Sequence, residues 1–262
     1  MDKSELLLSV RDVHTYYVDS YVLQGVSLQV ARGQVVAILG RNGMGKTTLI
    51  RSVFGLTPPR QGAINYKGHS LVNLPPYQIA QMGLSLVPQG RRIFKNLSVL
   101  ENLQLPTSSL ARGHGNSGQG PSDGTGWTLD KVLDEFPQLR DRLQNAGHEL
   151  SGGEQQMLAI GRALISNPDM VLMDEPSEGL SPRFVRHVGE IMIRMRSLGH
   201  AILLVEQNLA LALSVADHVH IIASGRFVFS GSPNELKAQP DILDEHLGVS
   251  GAKSLEDLGA HA

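Results

Sequence analysis

Residues 35–54 constrain the fold more than any other stretch. Val35-Val-Ala-Ile-Leu39 is a short, continuous apolar run, Gly40-Arg-Asn-Gly-Met-Gly45-Lys46-Thr47 follows it, and Thr47-Thr-Leu-Ile-Arg-Ser-Val-Phe54 has helical composition. A buried strand that feeds a GxxxxGK[ST] loop and then a helix is the arrangement that cradles phosphate. The glycines let backbone N–H groups of Gly40, Arg41, Asn42, Gly43, Met44 and Gly45 curl around phosphate oxygens. The following helix presents its partly positive N-terminus to the same anion. Lys46 is expected at the β- and γ-phosphates, the Thr47 hydroxyl on Mg²⁺ and the Thr48 hydroxyl at the α-phosphate.

Such a loop needs a parallel sheet around it, and the remaining pattern predicts one. Strand-length apolar runs recur at 22–30, 84–87, 170–173, 201–205 and 218–223. Helix-like stretches at 46–54, 128–136, 153–166, 183–197 and 208–215 separate most of them. The alternation predicts an α/β core whose central strands are parallel and covered on both faces. The first 30 residues alternate strand-like segments without helices and predict an antiparallel β appendage.

Residues 107–126 hold six glycines, four serines and one proline, with little apolar periodicity. They are expected to form a flexible surface insertion, with the sole tryptophan, Trp127, anchoring its exit. The 262 residues carry 23 basic and 25 acidic side chains, for a net charge of −2, so no global basic field draws the protein to nucleic acid. There are no cysteines, which excludes disulfides and thiolate chemistry. No apolar run approaches the roughly 18 residues that a membrane span needs.

A second set of residues completes a candidate hydrolytic site. Met170-Val-Leu-Met-Asp-Glu-Pro176 reads as a buried strand ending in two carboxylates. Side chains alternate along a strand, so Asp174 and Glu175 are expected to point in different directions. In a phosphate-loop ATPase the aspartate orders the Mg²⁺ shell and the glutamate polarises the attacking water. Upstream, Leu150-Ser-Gly-Gly-Glu-Gln-Gln156 contains an S-x-x-E capping box, Ser151 with Glu154. Ser151, Gly152 and Gly153 bare a helix N-terminus, a second anion site that one nucleotide at residues 40–47 does not obviously need. A second chain could supply that phosphate.

LSGGEQQ about twenty residues before MDEP, with the phosphate loop upstream and VPQGRRIF between them, resembles the ATP-binding subunits of ABC transporters. The resemblance covers nearly the whole chain. It implies one nucleotide-binding domain over residues 1–262 with a helical subdomain at about 90–165. It also implies a head-to-tail dimer in which the phosphate loop of one subunit and Ser151 to Gly153 of the other sandwich each ATP. By the same resemblance Tyr17 stacks on adenine, with Tyr16 as the competitor, and Gln89 touches Mg²⁺ and the attacking water. Two positions depart from the family pattern. Gln207 stands where a switch histidine is usual, so it can hydrogen-bond the γ-phosphate but cannot become an imidazolium. Ser181 stands where many relatives carry an aspartate.

VEQN, PSEGLSP, GRNGMGKTT and VPQGRR together resemble a narrower group, the LivF-type ATPases of branched-chain amino acid importers and their relatives for amides and urea. That group implies ATP hydrolysis with Glu175 as general base and Lys46, Gln89 and Gln207 positioning water and phosphate. It implies a peripheral place on the cytoplasmic face of the inner membrane. The implied partners are two transmembrane permeases, a second related ATPase subunit or a second copy of this chain and, indirectly, an extracytoplasmic binding protein, with no nucleic acid. Two rival readings are a soluble ABC ATPase of DNA repair or translation and a phosphate-loop kinase. The first is disfavoured by the absence of coiled-coil heptads and of a tandem ATPase half. The second leaves LSGGEQQ unexplained.

Overall fold

The computed structural model describes residues 5–110 and 126–248. Two long strands open it, β1 (Leu6–Tyr17) and β2 (Ser20–Ala31), paired antiparallel. Next come β3 (Val35–Leu39), α1 (Lys46–Val53), β4 (Gln61–Tyr66), β5 (His69–Ser70), α2 (Pro76–Gln81) and β6 (Leu84–Val87). A helical stretch holds α3 (Val99–Leu110), α4 (Leu129–Glu135), α5 (Pro137–Arg140) and α6 (Gly152–Ile165). The chain then runs through β7 (Met170–Asp174), α7 (Pro182–Ser197), β8 (Ala201–Glu206), α8 (Leu209–Val215), β9 (His218–Ala223) and β10 (Arg226–Gly231). It closes with α9 (Pro233–Lys237) and α10 (Pro240–Leu247).

The six-stranded sheet has the order β10-β9-β3-β8-β7-β6, parallel throughout except for β10 at the edge. Its central strands read as unbroken apolar runs because both faces are covered. In β3, Val35, Ala37 and Leu39 join a core against the helices, while Val36 and Ile38 join a second core against α1 and the antiparallel sheet. The period-two alternation of a strand thus divides one pentapeptide between two cores. The antiparallel sheet, of order β2-β1-β4-β5, is larger than the first 30 residues alone predicted, because β4 and β5 return to extend it.

The sequence reading requires one correction. Residues 107–110, expected within a flexible insertion, form the last turn of α3, and residues 111–125 lie outside the described residues. The helix is set upstream of the serine- and glycine-rich stretch. Ser98 and Glu101 make a capping box, with the Ser98 N–H donating to Glu101 Oε2 at 2.8 Å and the Glu101 N–H donating to Ser98 Oγ at 3.2 Å. Val99 and Leu103 are fully buried below that cap. Thr and Ser cost a helix little once it is nucleated, so composition alone marked the boundary too early. Trp127 does anchor the chain where it re-enters: its indole N–H donates to His200 Nε2 at 3.0 Å, and its carbonyl accepts from Asn167 Nδ2 at 3.0 Å.

Candidate active site

Four adjacent parallel strands end at the same edge of the sheet, in the order β3, β8, β7, β6. The phosphate loop follows β3, Gln207 follows β8, Glu175 follows β7 and Gln89 follows β6. Ligands of open parallel sheets bind outside the carboxyl ends of the strands, and here those ends gather residues more than 160 positions apart.

The loop demands glycine at two points. A Cβ on Gly40 would lie 2.5 Å from the Ile222 carbonyl oxygen on neighbouring β9, so only hydrogen fits there. Gly45, at the N-cap of α1, has φ of 105°, which L side chains rarely adopt. Asn42, Gly43, Gly45, Lys46, Thr47, Thr48, Gln89 and Glu175 line one cleft of about 180 Å³. Arg41 and Asn42 are exposed, whereas Met44 turns to the β9–β10 turn, its sulfur accepting the Ser224 N–H at 3.3 Å.

Inside the cleft Lys46 is 4% exposed. Its ammonium donates to the carbonyls of Gly40 at 2.7 Å and Arg41 at 3.2 Å and lies 3.2 Å from Glu175 Oε1. Gln89 Nε2 donates to the other oxygen of Glu175 at 3.0 Å and to Glu178 Oε2 at 3.2 Å. The Thr47 hydroxyl donates to Asp174 Oδ1 at 3.1 Å. Burial pushes the Asp174 carboxyl up to about 6, against the hydrogen bond from Thr47 and with help from the nearby charge of Glu175.

Asp174 and Glu175 have different partners, as alternation predicted, but alternation is not the reason. The strand stops at Asp174, and Glu175 takes a left-handed conformation, φ 50°, which turns its side chain back toward Lys46. Non-glycine residues in that region concentrate at functional sites because the surroundings must hold them there.

The two tyrosines are told apart by their neighbours. Tyr16 stacks on Tyr21 with ring centroids 4.4 Å apart, and the Arg60 guanidinium lies 4.4 Å from its centroid. Tyr17 is 39% exposed, and its hydroxyl is approached by Thr57 Oγ1 at 3.5 Å. Gln207 is exposed and lines a different cleft, of about 520 Å³, with Gly40, Arg41, Asn42 and Met44. Ser181 is the N-cap residue of α7 without a side-chain cap bond.

Ser151, Gly152 and Gly153 do not line the phosphate-loop cleft. Ser151 caps α6 through the box with Glu154, which also pairs with Arg142 at 2.9 Å. A Cβ on Gly152 would meet the Arg91 guanidinium and one on Gly153 the Phe184 ring. The sequence reading assigned nothing to Glu178 or Glu206. Glu206 is 1% exposed and accepts backbone N–H groups from Ser177, Gln207 and Asn208 at 2.9, 3.0 and 3.0 Å. Burial pushes its carboxyl up, while a hydrogen bond from the Ser177 side chain and those backbone bonds pull it down. A charged residue closing the apolar run AILLV was the available signal.

Residues 23–178 match the family model described as ABC transporter. The chain is 39% identical, over 92% of its length and all of the relative's, to the high-affinity branched-chain amino acid transport ATP-binding protein BraG of Pseudomonas aeruginosa. It is 34% identical, over 84% of its length and 89% of the relative's, to the probable branched-chain amino acid transport ATP-binding protein LivF of Archaeoglobus fulgidus. A solved structure described as the ATP binding subunit of an ABC transporter superposes with a TM-score of 0.77 at 29% identity, covering 97% of this chain and 98% of that one.

Proposed function

The chain belongs to the ABC transporter family, and from that premise we propose that it powers an importer for branched-chain or closely related amino acids. It binds ATP and hydrolyses it, the activity of the family's ATP-binding subunits. One observation carries the assignment of roles: the two adjacent carboxylates at the end of β7 are each engaged by the phosphate-loop segment, Asp174 by Thr47 and Glu175 by Lys46.

Lys46 lies between the carbonyls of its own loop and Glu175. When the γ-phosphate of ATP enters, the ammonium exchanges its carboxylate partner for phosphate oxygen. Glu175 is then free to accept a proton from the water that attacks phosphorus as the bond to ADP breaks. Gln89 keeps its amide nitrogen on Glu175 and has its oxygen for the water, and Gln207 approaches the γ-phosphate from the other side of residues 40–42. Backbone N–H groups of Asn42 to Gly45 with Thr48 hold the phosphates, and Tyr17, whose ring is not sandwiched as that of Tyr16 is, stacks on adenine.

A hard divalent cation fits the oxygen donors of Thr47, Asp174 and Gln89, because a buried carboxylate raised to about 6 gains by meeting one. Mg²⁺ held there supplies neutralisation of the β- and γ-phosphate charge.

Ser151 to Gly153 serve the ATP of a partner subunit, a reading supported by their not lining the cleft that Lys46 lines. That partner is a related ATPase or a second copy, and the whole of residues 1–262 acts as one nucleotide-binding domain with its helical subdomain at about 90–165. No helix among the described residues is long and apolar enough to cross a membrane. Two permeases hold the subunit at the cytoplasmic face of the membrane, and an extracytoplasmic binding protein delivers the cargo. The relatives' names carry the amino-acid part of this reading. The test is to purify the tagged protein from native membranes in mild detergent and identify stoichiometric partners by mass spectrometry. Two multi-span proteins and a second ATPase are expected. Recovery of ribosomes, DNA factors or the protein alone would overturn the importer assignment.

A further inference from the structure

Glu206 is the buried carboxylate that the chemistry above leaves unused. It closes β8, is 1% exposed, and among the described residues no lysine or arginine pairs with it. Three backbone N–H groups and the Ser177 side chain satisfy it. Oε1 accepts the Ser177 N–H at 2.9 Å, and Oε2 accepts the N–H groups of Gln207 and Asn208, each at 3.0 Å.

Those donors belong to two loops of the site. Ser177 stands two residues beyond Glu175, and Gln207 and Asn208 lead into α8, whose N-cap is Asn208 through Oδ1 and the Leu211 N–H at 3.0 Å. The β7–β8 ladder pairs Asp174 with Val205, and the Glu175 N–H still donates to the Val205 carbonyl at 2.9 Å. Beyond that bond the strands part. Glu175 bends away at φ 50°, and the two-oxygen end of Glu206 replaces the missing ladder, fastening the outgoing loop to the neighbouring strand.

A carboxylate suits the place because the three backbone N–H groups facing it can only donate, and the Ser177 hydroxyl bonds it as well. A glutamine of the same shape would turn its amide N–H₂ toward at least one N–H and leave it unpaired. Burial makes such an orphan costly, and the backbone that would move to relieve it is the segment 175–177.

We propose that Glu206 is a positioning residue for hydrolysis, holding the left-handed turn at Glu175 so that its carboxylate reaches the attacking water, and locking that turn to the loop that carries Gln207. The inference rests on Glu175 as the base.

The test uses the full-length chain in its assembled transporter, comparing Glu206→Gln, Glu206→Asp, Glu175→Gln and the double variant Glu175→Gln/Glu206→Gln. Steady-state ATP hydrolysis and Mg·ATP affinity are measured on the same preparations. Glu206→Gln is expected to lower kcat at least tenfold with Kd for Mg·ATP within threefold of wild type. Glu206→Asp, which keeps an acceptor-only group on a shorter arm, recovers part of the loss. Because Glu206 acts through Glu175, the double variant is expected to be no more than twofold slower than Glu175→Gln alone. A kcat for Glu206→Gln within twofold of wild type, or multiplicative slowing in the double variant, overturns the proposal. Loss of nucleotide binding in both Glu206 variants assigns the residue to maintenance of the fold and overturns it equally. Wild-type turnover in Glu175→Gln removes the base itself, and the proposal with it.

Discussion

Asp174 ties the stability of the nucleotide-free protein to pH. The group is 3% exposed, and burial raises its pKa from 3.8 to about 6. A carboxyl raised on folding binds more protons in the folded chain than in the unfolded one between those two values, so its contribution to stability falls as pH rises through that window. Below about pH 3 it costs almost nothing, and by pH 7 the loss amounts to about 3 kcal/mol. Roughly half of it, about 1.5 kcal/mol, falls between pH 5 and pH 7.5. Asp174→Asn keeps an oxygen for the Thr47 hydroxyl and cannot ionise. Urea unfolding of both proteins without nucleotide, each referred to its own stability at pH 5, should show wild type losing about 1.5 kcal/mol more than Asp174→Asn by pH 7.5. Parallel profiles would refute a raised Asp174, and with it the argument that this carboxylate gains from a cation.

Other substitutions separate the parts of the site. Gly40→Ala forces a methyl to within 2.5 Å of the Ile222 carbonyl oxygen, a backbone atom that cannot swing aside, and should cost about 2–3 kcal/mol in urea unfolding together with loss of ATP binding. A loss below about 0.5 kcal/mol would mean that β9 yields more easily than its packing implies. Tyr17→Ala should weaken ATP binding about tenfold in a fluorescent-nucleotide titration, the worth of one base–aromatic stack. Tyr16→Ala should leave that affinity unchanged while lowering the melting temperature, because its ring packs on Tyr21 and Arg60; the reverse pattern would exchange their roles. Ser98→Ala removes the cap of α3 and should cost about 1 kcal/mol, measurable by urea unfolding with ATP affinity unaltered.

Much of the molecule was legible because its signals are short in range. The strands at 84–87 and 218–223 have the bounds that their apolar runs predicted, and the helices near 46–54, 153–166 and 183–197 differ by a residue or so at the ends. Caps, glycines and periodicity act over three or four residues, so neighbours in the chain suffice to reveal them. Where the reading failed, the decisive signal was also local but obscured: the Ser98–Glu101 box and the buried Val99 and Leu103 set α3, while the serine-rich composition after Pro106 drew attention away from it.

The sequence by itself determined which groups could handle a phosphate: the loop from Gly40 to Thr47, the helix starts at Lys46 and Gly152, and the carboxylate pair at the end of an apolar strand. Only the tertiary structure decided how they meet. Lys46 touches Glu175 across 129 positions and Thr47 touches Asp174 across 127, because β8, late in the chain, inserts between β3 and β7. No periodicity encodes that strand order. The left-handed turn of Glu175 and the bond from the Ser177 N–H to Glu206 likewise arise where β7 and β8 part, from a match between two segments that are neighbours in space and strangers in sequence.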